Sequence, residues 1–176
     1  MRRQQIYNHK GMIKRTPELS SFADHTRVWV FQSSQVLRDV VQREISSILD
    51  DFLEKWAAHG ADLYAGFEIR LDRFILIAVD EHRAPATGCS IDSMMKVVQQ
   101  IDQHYELDLL NRMKVAYWDG EEIMEVNINS FTRMLANGEL NENTTIVFNN
   151  IVQNKGELDA QWEIPVKNSW FVNLMS

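Results

Sequence analysis

The sequence predicts an α+β fold: a ferredoxin-like β-α-β-β-α-β core, a fifth strand added by a hairpin, and a C-terminal helix/strand extension covering the sheet. Period-two and period-3.6 apolar patterns alternate in that order over residues 1 to 118. The runs Arg27 to Gln32 and 73 to 80 are apolar on both alternating faces, as inner strands are. Leu71-Asp72 and Asp119-Gly120 mark tight turns.

Arg27-Val-Trp-Val-Phe-Gln32 is β-branched and aromatic and reads as the first strand. Ser33 and Ser34 offer capping hydroxyls, after which Leu37, Val41, Ile45, Ile48, Phe52 and Trp56 recur at helical spacing. His59-Gly60 supplies the expected C-cap. Residues 64–70 and 73–80 form a hairpin, mixed in polarity on the first strand and apolar throughout on the second. Ser90 is expected to cap a second helix carrying Ile91, Met94, Met95, Val98, Ile101 and Tyr105. Lys114 to Trp118 is the fourth strand, placed at an edge because it begins with a lysine, and Glu121 to Asn127 the fifth. A short helix from Ser130 to Ala136, a strand near Thr145 to Phe148 and a stretch with Trp162, Trp170 and Phe171 follow. One-sided helical cover cannot bury strands that are apolar on both faces. The C-terminal extension or a homodimer interface must supply a second cover.

With 176 residues, 45% of them hydrophobic, the chain has enough apolar material for one core, expected over residues 21–176 behind a flexible N-terminal extension, 1–20. The longest apolar run, Phe74 to Val79, is too short to span a membrane. Net charge is −7. Residues 1–16 hold five basic side chains (Arg2, Arg3, Lys10, Lys14 and Arg15) and no acid, so the remaining 13 basic and 25 acidic residues leave −12. Such a field disfavours nucleic acid. Met12 is an alternative start, which would make residues 1–11 an upstream extension. Cys89 is the single cysteine; it excludes an internal disulfide framework and fits the cytoplasm.

Ala78-Val-Asp-Glu81 and Gly88-Cys-Ser-Ile-Asp-Ser93 stand with Arg27-Val-Trp29, His59-Gly60, Glu68, Phe148-Asn-Asn150, Trp162, Pro165 and Ser169-Trp170. Together these resemble a family of small uncharacterised bacterial proteins often labelled ABC transporter ATPase. The resemblance runs from about Arg27 to the C-terminus. It implies kinship and no activity, because the label needs a Gly-x-x-x-x-Gly-Lys-Ser/Thr loop to cradle phosphates. Gly60 and Gly66 are the nearest glycine pair, wrongly spaced, with Phe67 where lysine should stand. No ATPase activity is expected.

The expected topology gathers Arg27, His59, Asp80, Glu81, Cys89, Ser90 and Asp92 at one end of the sheet. A non-catalytic binding or interaction protein, with a polar pocket near residues 88–93 for an unknown small molecule or protein, is the first reading. Arg27, Glu81, Ser90 and Asp92 would line that pocket. The competing reading is a small enzyme with Cys89 as nucleophile beside a helix N-terminus, His59 as base and Asp80 orienting the imidazole. Three nearby carboxylates oppose the thiolate it needs. An Arg27–Asp80 ion pair across adjacent strands is expected, with anion recognition by Arg27 as its alternative. Asp80-Glu81-His82 has metal-ligand residue types, but neighbours on an extended segment point in alternating directions, so neither metal nor cofactor is expected.

Overall fold

The computed structural model describes residues 16–174. It is mixed α+β, with strands β1 (Arg27–Gln32), β2 (Ala57–Ala58), β3 (Ala61–Asp62), β4 (Ala65–Arg70), β5 (Phe74–Val79), β6 (Lys114–Asp119), β7 (Glu122–Asn127), β8 (Ile146–Phe148) and β9 (Glu163–Pro165). The helices are α1 (Asp39–Leu53), α2 (Gly88–Tyr105), α3 (Ile128–Ala136) and α4 (Lys155–Gln161). The strands form three antiparallel sheets, ordered β1-β5-β4, β2-β3 and β7-β6-β8-β9.

All six residues of β5 are buried, so both faces of the first sheet need cover. Ile75, Ile77 and Val79 pack with Phe31 and Phe67 against Ile45, Leu49, Met94, Val98 and Ile101 of α1 and α2. Phe74, Leu76 and Ala78 face the other way with Val28 and meet Ala116, Phe148, Leu158 and Trp162. The far face of the second sheet, Val115, Tyr117 and Val147, is closed by Phe131 of α3 and by Val166 and Phe171. Four layers result. The second cover comes from within the chain.

The first three core strands take the expected order, whereas the fourth does not. In a ferredoxin-like sheet Lys114 to Asp119 would pair with β1. Among the described residues it pairs instead with β7 and, at Tyr117↔Val147, with β8. Lys114 marks the end of β6 and not an edge, since Val115, Ala116 and Tyr117 are all buried and need layers on both faces. The edge of β1 is taken by the segment before α4: the Val28 amide donates to the Gln153 carbonyl, and the Lys155 amide to the Thr26 carbonyl.

Helix α1 starts later than expected. The Ser33 hydroxyl is used in a local turn with Gln35, and the Leu37 amide donates to Asp72 in the β4–β5 turn, which holds residues 33–38 out of the helix. His59-Gly60 is not a C-cap. Both have positive φ, 51° and 80°, as the two loop positions of a type I′ hairpin between β2 and β3 require. The expected Asp119-Gly120 turn falls one residue later, at Gly120-Glu121, and α3 starts two residues before the expected Ser130, while α4 and β9 had no clear sequence signal. Packing begins before residue 20. Leu19 is buried and the Thr16 hydroxyl donates to buried Asp50 at 2.7 Å. Gly66 lets this segment approach, because a Cβ there would lie 2.3 Å from the Pro17 carbonyl oxygen. The remainder of the expected extension, residues 1–15, lies outside the described residues, as do its five basic side chains and Met12.

A polar seam joins the two large sheets. Lys114 Nζ meets Asp108 at 2.6 Å and Glu125 at 3.1 Å, and Glu125 accepts from the Gln32 amide. Gln32 in turn accepts from Asn150, whose carbonyl accepts from the Trp162 indole. The Lys114 hydrogen bond holds the Asp108 carboxyl below its usual range, against burial and with help from the Asn111 amide. Burial opposes the Lys114 charge, but its two carboxylates outweigh it and raise the ammonium above its usual value.

Two expectations follow. Phe74 is fully buried, with ring centroids 4.6 Å from Phe148 and 5.0 Å from Trp162. Phe74→Ala therefore lowers the unfolding free energy by about 3–5 kcal/mol, read as a lower urea midpoint at unchanged m-value. Because the Asp108 carboxyl is depressed in the folded state, its stabilisation is full above the ordinary carboxylate range and is lost as pH falls through the folded value. Asp108→Asn lowers Tm at neutral pH, and the gap from the parent closes in acid; a gap of constant size contradicts the assignment.

Candidate functional site

The antiparallel register puts Arg27 opposite Val79, so one end of the first sheet carries the residues just before β1 and just after β5. Glu81 lies in the turn just beyond Val79, and it is Glu81 that Arg27 meets at 3.5 Å. The expected Arg27–Asp80 pair does not form. Arg27 also lies over the Trp29 ring, 4.6 Å from its centroid.

Asp80 has other partners. Its Oδ1 lies 3.1 Å from His25 Nε2 and accepts the His82 backbone N–H, while its Oδ2 lies 3.3 Å from Arg83 Nε. Burial alone would raise the carboxyl, but the hydrogen bonds from His25 and His82 and the charges of His25 and Arg83 outweigh it and hold the carboxyl below its usual value. The imidazoles of His25 and His82 are stacked, with centroids 3.6 Å apart and planes 12° apart, and Arg83 caps the Tyr64 ring at 3.6 Å. Asp80 and His82 converge because residues 80–83 form a turn, closed by Arg83 N–H to Asp80 C=O, and not the extended segment on which alternation was argued. One ligand atom from each of His25, Asp80 and His82 lies within 4.8 Å of the others. His25 was missed by sequence reasoning, although two residues before β1 is where the antiparallel register points toward Glu81.

At the start of α2 the polar groups serve the helix. Thr87 is the N-cap, and its hydroxyl and the Ser90 hydroxyl form a reciprocal capping box; the expected cap, Ser90, is the third helical residue. Ser90 is buried, and its carbonyl accepts from the Trp56 indole at 2.8 Å and from the Ser93 hydroxyl. Asp92 is exposed beyond the first turn. Cys89 is exposed, His59 is exposed at the tip of the β2–β3 hairpin, and no hydrogen bond joins them among the described residues. Asp80 orients His25 and not His59.

A cleft opens at the opposite end of the first sheet, between the β4–β5 and β6–β7 turns. Its volume is about 400 Å³. Val36, Leu71, Trp118 and Ile123 give it an apolar wall; Asp72, Glu121 and Glu122 stand against a single cation, Arg73. Arg73 is partly spent on the Ser33 and Ser34 carbonyls, at 3.4 Å each, whereas Glu121 and Glu122 are exposed. Leu71 and Asp72 have φ of 53° and 50°. The turn needs both in the left-handed region, where leucine is disfavoured. Leu71 is nonetheless 38% exposed and Val36 59%. Both turns were legible in the sequence. That they share one end of the molecule was not, since this depends on the second sheet.

Several residues that carried the family resemblance are structural. Glu68 forms an ion pair with Arg70 at 2.7 Å, Arg70 lies over Trp162, and Trp162 is tied to Asn150 in the seam. The buried Ser169 hydroxyl donates to the Val166 carbonyl. No helix among the described residues is long and apolar enough to cross a membrane. Comparison with family profiles, with curated proteins and with solved structures finds no match for this chain.

Proposed function

We propose that the protein is a non-catalytic binding module whose ligand is a small molecule with an apolar body and a positively charged group, bound in the cleft between the two hairpin turns. The observation that carries this reading is Leu71, held outward at a backbone conformation leucine disfavours, beside Trp118 and a rim dominated by carboxylates. The cleft volume, an apolar and aromatic wall, and a few charged groups on one side suit such a ligand. This places the ligand away from residues 88–93, where Ser90 has committed its hydroxyl and carbonyl to capping and to Trp56. Kinship with the small bacterial proteins labelled ABC transporter ATPase belongs to the same proposal, without their label's activity, as does a cytoplasmic setting for the unpaired thiol.

Leu71→Asn tests the cleft, because asparagine tolerates the left-handed region while removing the apolar contact. The variant is expected to match or exceed the parent in Tm and to lose binding of phenethylammonium and benzyltrimethylammonium, followed by amide and indole shifts of Val36, Trp118 and Glu121 to Ile123. Equal shifts from phenylpropionate, or shifts centred elsewhere, overturn the reading. For the enzyme alternative, alkylation of Cys89 by iodoacetamide is expected to proceed at the same rate in the parent and in His59→Ala. A tenfold or greater loss of rate would restore the nucleophile–base pair.

A further inference from the structure

At the end of the first sheet remote from the cleft, two loops fixed by the β1–β5 register bring His25, Asp80 and His82 together. We propose that these three side chains bind a divalent transition-metal ion of the zinc class. Two imidazoles and one carboxylate form a borderline-soft N/O donor set with a net charge of −1. That set suits zinc, nickel or cobalt, and it is too poor in oxygen ligands for calcium or magnesium.

The geometry is half prepared. Zinc–nitrogen and zinc–oxygen bonds of about 2.0–2.2 Å at near-tetrahedral angles put neighbouring donor atoms roughly 3.3–3.6 Å apart. His25 Nε2 and Asp80 Oδ1 stand at 3.1 Å, slightly closer than that span, with a proton between them. The ion replaces that proton, which leaves to solvent. The Asp80 carboxylate is oriented independently of the ion, by the His82 backbone N–H on one oxygen and Arg83 on the other. His82 has to move. A ring nitrogen directs its lone pair in the plane of its ring, and two planes 12° apart at a centroid separation of 3.6 Å cannot both contain one ion. The His82 side chain is exposed and makes no hydrogen bond among the described residues, so its ring is free to turn out of the stack. Three protein ligands leave a fourth position for water or a ligand atom.

The test is a calorimetric titration of the untagged full chain with zinc chloride, with magnesium chloride as the control. One zinc per chain is expected, with His25→Ala and His82→Gln each weaker by at least about tenfold, and with His59→Ala and His104→Ala, both exposed elsewhere, unchanged. The ring-proton resonances of His25 and His82 shift together on zinc addition as the stack opens, and magnesium leaves them in place. Retained zinc binding in His25→Ala and His82→Gln overturns the assignment. So does absence of zinc binding by the parent. His82→Gln alters only an exposed side chain, so its unchanged circular dichroism and Tm separate loss of a ligand from loss of fold.

Discussion

The architecture depends on β5. Six consecutive apolar residues, Phe74 to Val79, alternate their side chains between two faces, and every one of them is buried. A strand of this kind at the centre of a three-stranded sheet cannot stop at one helical layer: its second face would leave Phe74, Leu76 and Ala78 in water. At roughly 25 cal/mol per Å² of apolar surface, that exposure would cost several kcal/mol, a large share of a domain's net stability. The second sheet answers this demand, and because β6 is itself buried on both faces it passes the demand outward to α3 and the C-terminal turns. Aromatic contacts are densest at the junction, where Phe74 meets Phe148 and Trp162.

Local patterning made β1, β4, β5 and α2 legible within a residue or two. Their periodicities differ, and the polarity changes where one gives way to the next. Partnership between strands was less legible. Lys114 looked like an edge marker because a charge at a strand end and a charge at a strand edge read alike until the Asp108 and Glu125 carboxylates that neutralise it are placed. Ser33 and His59-Gly60 were misread for a related reason. A serine before an apolar-periodic run, or a glycine after one, fits a cap as well as it fits a turn, and only tertiary hydrogen bonds such as Leu37 to Asp72 decide.

Of the residues expected at the polar end of the sheet, the structure brings Arg27 and Glu81 into contact, with Asp80 beside them. Register follows from the apolar pattern, so Arg27, Asp80 and Glu81 had to lie near one another. Which carboxylate meets the guanidinium is decided by the turn that follows β5, which strand periodicity does not describe, and the one that reaches Arg27 is Glu81. His25 lies in a loop with no periodicity, which is why the group most intimately joined to Asp80 left no trace in the pattern. Glu68, Asn150 and Trp162 belong to one stretch of contacts that locks the sheets together.

A sheet committed on both faces leaves its strand ends for recognition, and the two ends differ physically. At the Arg27 end Arg27 is paired with Glu81, and Asp80 with His25 and Arg83. The Leu71 end is not balanced in this way. A type I′ turn is most readily made by asparagine and glycine, and it is made here by Leu71 and Asp72. Asp72 has a structural return for its conformation, since its carboxylate accepts from buried Gln42 and its carbonyl holds Leu37. Leu71 has none of this kind: its side chain adds little to the core, and its backbone carries an energetic cost of about 1–2 kcal/mol that asparagine or glycine would largely remove. Local propensity and global packing both oppose leucine at this position. What remains on its side is the apolar wall it completes with Val36 and Trp118, which is the wall the proposed ligand would meet.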